Sequence, residues 1–139
     1  MVASSYNGEF VEPMVGKARE ELLVIEPNSR ITVVQAPGSF EIPFLTKQVI
    51  EKQKPDAVIC LGVIFRGETG HADLVAASVT ETLCRLSVET NTPVIHAVLL
   101  LSDESQARER CLEGEANRGT EAARAAIEAI RAARAITPR

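Results

Sequence analysis

The 139-residue chain is 45% apolar and 24% charged, with a net charge of −4. That is the composition of an ordinary globular protein with room for one core. The acidic balance comes with no aromatic-interleaved basic patch, which argues against a nucleic-acid partner and toward a small-molecule or protein one. No apolar run approaches the roughly 18 residues of a membrane span, and "MVASSYNGEF" lacks the basic and apolar regions of a signal peptide. The expectation is a cytoplasmic protein that does not engage a membrane.

Residues 1–5, "MVASS", form a short apolar start, and "NGEF" supplies turn residues before Phe10, Met14, Val15, Ala18, Leu22 and Leu23 recur at helical spacing. Residues 28–36, "NSRITVVQA", pass from turn formers into β-branched residues and stop at "PGS", which predicts a second strand. Residues 40–54 place Ile42, Leu45, Val49 and Ile50 on one face, with Pro43 acceptable in a first helical turn. Residues 55–65, "PDAVICLGVIF", are apolar almost without alternation, as in a parallel strand covered on both faces.

A helix is expected from about Thr69 to Glu89, with Leu74, Val75, Ser78, Val79, Thr82, Leu83 and Leu86 inward. Residues 92–101 give a fourth strand. Ser102 and Asp103 can cap a helix running through Cys111, and the alanine-rich stretch at 117–135 a last one. Alternating strands and crossover helices imply a four-stranded parallel sheet in a three-layer α/β sandwich. Cys60, Cys84 and Cys111 are odd in number and far apart, so reduced buried thiols are expected rather than a metal site or a disulfide.

Ligands of such sheets bind beyond the carboxyl ends of the strands, which selects "SSYNG", "PGSFE", "RGETGH" and "LLSDE". Gly67, Glu68, Thr69 and Gly70 lead into a helix N-terminus, where free N–H groups and the dipole attract an anion such as phosphate. A plain capped turn is the competing explanation, and the spacing fits neither a dinucleotide fingerprint nor a Walker loop. His71 in the first turn would be pushed toward a neutral imidazole that accepts a proton near pH 7. His96 interrupts the fourth strand and reads as a core or interface histidine. Arg108 or Arg110 could turn to the same edge and meet a phosphate with a bidentate fork, although solvated helix charges are the commoner case. Tyr6 could stack on a planar ligand or close the core.

With "PGSFEIP" after the second strand and "LGVIFRGETGH" after the third, the chain resembles the lumazine synthase family. "SSYN", "TPVIHAVL" and "RERCLEGEANRGTEAA" resemble further family segments in the same order. The resemblance implies a flavodoxin-like fold over residues 1–139, without the N-terminal arm that family members usually carry. It implies condensation of a ribitylamino-pyrimidinedione with 3,4-dihydroxy-2-butanone 4-phosphate to 6,7-dimethyl-8-ribityllumazine, releasing phosphate and water, with no cofactor or metal.

By the same resemblance Tyr6 would stack on the pyrimidine, and Ser39, Phe40 and Glu41 would meet the ribityl chain and ring edge. Val63 and Ile64 would offer backbone groups, and His96 and Arg118, at a position usually lysine, would line the same site. Glu68, Thr69 and Arg110 would hold phosphate, Arg110 from a neighbouring subunit, and His71 would transfer protons. The implied assembly is a homo-oligomer, a pentamer or a multiple of one, with riboflavin synthase as a candidate protein partner. Departures from the family pattern at Gly70, Ala72 and His96 keep open a different class of role, a lumazine- or flavin-binding or shell-forming scaffold.

Overall fold

The computed structural model describes residues 1–112 and 114–138. Its elements run β1 (Val2–Ser4), α1 (Gly8–Ile25), β2 (Val34–Ala36), a 3₁₀ turn (Ser39–Glu41), α2 (Ile42–Gln53), β3 (Val58–Phe65), α3 (His71–Thr90), β4 (Val94–Leu101), α4 (Glu104–Cys111) and α5 (Arg118–Ala135). All strand pairs are parallel and the sheet order is β2-β1-β3-β4. The three-layer α/β expectation is therefore met.

Two cores result, one on each face of the sheet. Phe10, Val11 and Met14 of α1 pack with Cys111 of α4 and Ala122 and Ala126 of α5. Ile42, Val49 and Ile50 of α2 pack with Val79, Leu83 and Leu86 of α3 on the other side. β3 contributes to both, as its unbroken apolar run requires. The alanines of α5 let it approach α1 closely: a Cβ on Gly119 would stand 2.0 Å from the Met14 carbonyl oxygen.

Four expectations need correction. The second strand pairs only over Val34–Ala36, in the register Val2↔Val34, and residues 28–33 lie outside it. α3 begins at His71 rather than Thr69, with Gly70 at its N-cap. Its buried positions are Ala72, Val79, Leu83 and Leu86, whereas Leu74 is 72% exposed and Ser78 is exposed as well. The inward stripe at 3.6 residues per turn is one position narrower than expected, and both of those residues fall on its flank. Cys84 is exposed while Cys60 and Cys111 are buried. Among the described residues no helix is long and apolar enough to cross a membrane.

Candidate functional site

The chain leaves β1 toward β2 and leaves β3 toward β4, so the crossovers diverge between β1 and β3. A crevice forms beyond the carboxyl ends of strands at such a point. On the β1 side Ser5 N–H donates to the Ala36 carbonyl at 2.7 Å, and its hydroxyl donates to Gln35 Oε1 at 3.0 Å. That leaves Tyr6 71% exposed at the edge. Asn7 takes the left-handed conformation (φ 55°, ψ 36°) that asparagine tolerates, and its Nδ2 donates to the Val63 carbonyl of β3 at 2.8 Å.

After β2, Gly38 is extended and the 3₁₀ turn carries Ser39 inward and Phe40 and Glu41 outward. Ser39 lies over β3 where Gly62 has no side chain: a Cβ there would be 2.7 Å from the Ser39 Oγ. The stretch from Ser39 to Glu41 is thereby seated against the same strand that Asn7 reaches. Val63 is buried and Ile64 half-buried just beyond Gly62, and Phe65 meets Phe10 edge-on with ring centres 5.7 Å apart.

The loop after β3 is anchored at its start by Arg66. Its N–H donates to the Leu101 carbonyl at 2.9 Å, while its guanidinium reaches Asp73 Oδ1 at 3.3 Å and Ser102 Oγ at 3.4 Å. Glu68, Thr69, Gly70 and His71 are all exposed, and nothing stands within 4 Å of a Cβ built on Gly67 or Gly70. No side chain at Gly70 caps α3, and the nearest substitute is Thr69 Oγ1, 3.5 Å from the His71 nitrogen. The first turn of α3 faces open space with its amide dipoles outward, an arrangement that suits an anion.

A second cluster lies along β4. His96, Arg110, Arg118 and Glu121 line a groove of about 410 Å³ with β4 residues from Ile95 to Leu101. Arg118 pairs with Glu121, whereas Arg110 enters no ion pair among the described residues. Arg108 pairs with Glu104 at 3.9 Å, the ordinary solvated helix pair. Glu68, Thr69 and His71 are not part of that lining.

His96 has both nitrogens engaged. Nδ1 accepts from the Val98 N–H at 3.1 Å, which leaves the ring proton on Nε2 to donate to Thr80 Oγ1 at 2.7 Å. His96 is an exposed residue, yet desolvation of its ring against β4 and α3 lowers the pKa of the imidazole.

The predicted residues therefore fall into two groups: Tyr6, Ser39, Phe40, Glu41, Val63, Ile64, Glu68, Thr69 and His71 at the carboxyl edge, and His96, Arg110 and Arg118 along β4. Sequence reasoning gave no role to Asn7, Arg66 or Asn117. The left-handed turn preference of asparagine and its place in the "SSYN" segment were the signals for Asn7. Residues 1–134 match a family model described as 6,7-dimethyl-8-ribityllumazine synthase.

Proposed function

The chain belongs to the 6,7-dimethyl-8-ribityllumazine synthase family, which gives it a role in riboflavin biosynthesis. From that premise we propose that it catalyses the family's reaction itself. The amine of a ribitylamino-pyrimidinedione condenses with the ketone of 3,4-dihydroxy-2-butanone 4-phosphate, phosphate is eliminated and ring closure releases water. The observation that carries this reading is the first turn of α3, whose N-cap glycine offers no side chain, with His71 on it and open space above Gly67 and Gly70.

In this reading the phosphate sits at the α3 N-terminus, held by the backbone N–H groups of Glu68 and Thr69 and by the Thr69 hydroxyl. His71 is then beside the carbon from which phosphate departs and moves the protons of imine formation and elimination. Tyr6 stacks on the pyrimidine, while Ser39, Phe40 and Glu41 follow its ribityl chain and edge. The Val63 carbonyl has a second lone pair beyond the one that Asn7 occupies, and with the Ile64 backbone it fixes the ring's hydrogen-bonding face. Both reactants are intrinsically reactive, so orientation supplies much of the acceleration.

The groove holding His96, Arg110 and Arg118 runs along β4, which ends the sheet on one side. A second copy docked there brings these residues to its neighbour's α3 terminus, so the site is completed between subunits of a pentamer or a multiple of one. Mixing the protein with both substrates and following the product's absorption and fluorescence tests the proposal. Product formation no faster than the uncatalysed reaction overturns it, and tight product binding without turnover would instead identify a binding or scaffold protein.

A further inference from the structure

Asn117 is 0% exposed, and its side-chain amide is fully used. Oδ1 accepts from the Gly119 N–H at 2.8 Å, and Nδ2 donates to the Cys111 carbonyl at 2.9 Å and to the Leu112 carbonyl. An amide has one oxygen and two N–H donors, so this residue caps the start of α5 while holding the end of α4. The start of α5 is itself fixed, since Gly119 lies against the Met14 carbonyl with no room for a side chain.

Arg110 precedes Cys111, and Arg118 follows Asn117 directly. Both arginines line the groove along β4. One buried amide thus joins the two helix ends that carry them. We propose that Asn117 is a positioning residue: it sets the spacing of the Arg110 and Arg118 guanidinium groups, and through Arg110 the affinity for the phosphate-bearing substrate. This rests on the phosphate role given to Arg110 above.

Asn117→Asp keeps the acceptor for Gly119 but turns lone pairs toward the Cys111 and Leu112 carbonyls. Asn117→Ser keeps a shorter cap and loses the reach to α4. With folding checked by circular dichroism, either variant should raise KM for the phosphate substrate and Ki for inorganic phosphate by about tenfold. In an Arg110→Gln background the same change should add little, because Asn117 acts through Arg110. A variant that only lowers Tm, with that KM and Ki unmoved, would overturn the proposal.

If Arg110→Gln itself leaves the phosphate KM unchanged, the functional reading fails; if it raises KM and the Asn117 variants do not, only this inference fails. Should neither variant fold, the wild-type protein carries the test: titrating inorganic phosphate should shift the NMR signal of the Asn117 side-chain amide. An unmoved signal would overturn the proposal as well.

Discussion

Asn7 Nδ2 donates to the Val63 carbonyl at 2.8 Å, tying the turn after β1 to β3 where the sheet's crossovers diverge. The bond spans 56 residues of sequence and fixes the turn from which Tyr6 projects. Asn7→Ala removes the bond and puts in the left-handed region a residue that lacks asparagine's tolerance of it. It should lower stability by about 1–3 kcal/mol, read as a shift of the urea midpoint. Asn7→Gly should recover the backbone part of that loss, and equal midpoints for Asn7→Ala and wild type would deny the bond any role.

Gly62→Ala places a methyl 2.7 Å from Ser39 Oγ and 3.2 Å from Ile42 Cδ1 and Val98 Cγ1. Overpacking of this kind costs about 1–3 kcal/mol and should push the Ser39 turn off β3. Pyrimidine affinity measured by calorimetry should weaken with it. Unchanged affinity would separate Ser39 from the ligand site.

The long elements were legible because their patterns are local. β3 is an unbroken apolar run and β4 one interrupted only by His96, Asp103 caps α4 by accepting from the Gln106 N–H at 2.9 Å, and the alanine-rich α5 falls close to its expected limits. The length of β2 was not legible, since it depends on which β1 residues lie opposite. Nor was the grouping of His96 with Arg110 and Arg118, which comes from packing β4 beside α4 and α5 rather than from spacing. Asn117 drew no role from the sequence, and its hold on α4 exists only in the folded chain.

Desolvation of the ring lowers the pKa of the exposed His96 from its ordinary 6.5. The unfolded chain therefore takes up this proton first as pH falls. The resulting stability is complete above about pH 6.5 and is lost as pH drops from there toward the folded value. Protonation would also remove the Nδ1 acceptor of the Val98 N–H and place a cation in the groove shared with Arg110, Arg118 and Glu121. Urea midpoints at pH 7.5 and 5.5 should differ less in His96→Phe than in wild type, and an equal difference would contradict this.

The thiols should behave unequally. Burial raises Cys60 to about 12 and Cys111 to about 11, while Cys84 is exposed on α3. Since the thiolate is the reactive form, brief alkylation of the native protein should add one adduct per chain, at Cys84. Mass spectrometry finding Cys60 or Cys111 modified at a comparable rate would show that those cores open readily.

The most direct test of the account is the rate of lumazine formation by the wild-type protein set against that of His71→Ala under identical substrate concentrations. His71 stands exposed in the first turn of α3, so its removal should leave the fold intact while withdrawing the proton-transfer group. The account predicts a wild-type rate well above the uncatalysed reaction and a loss of roughly 10²-fold or more in the variant. Equal rates for the two proteins would contradict it.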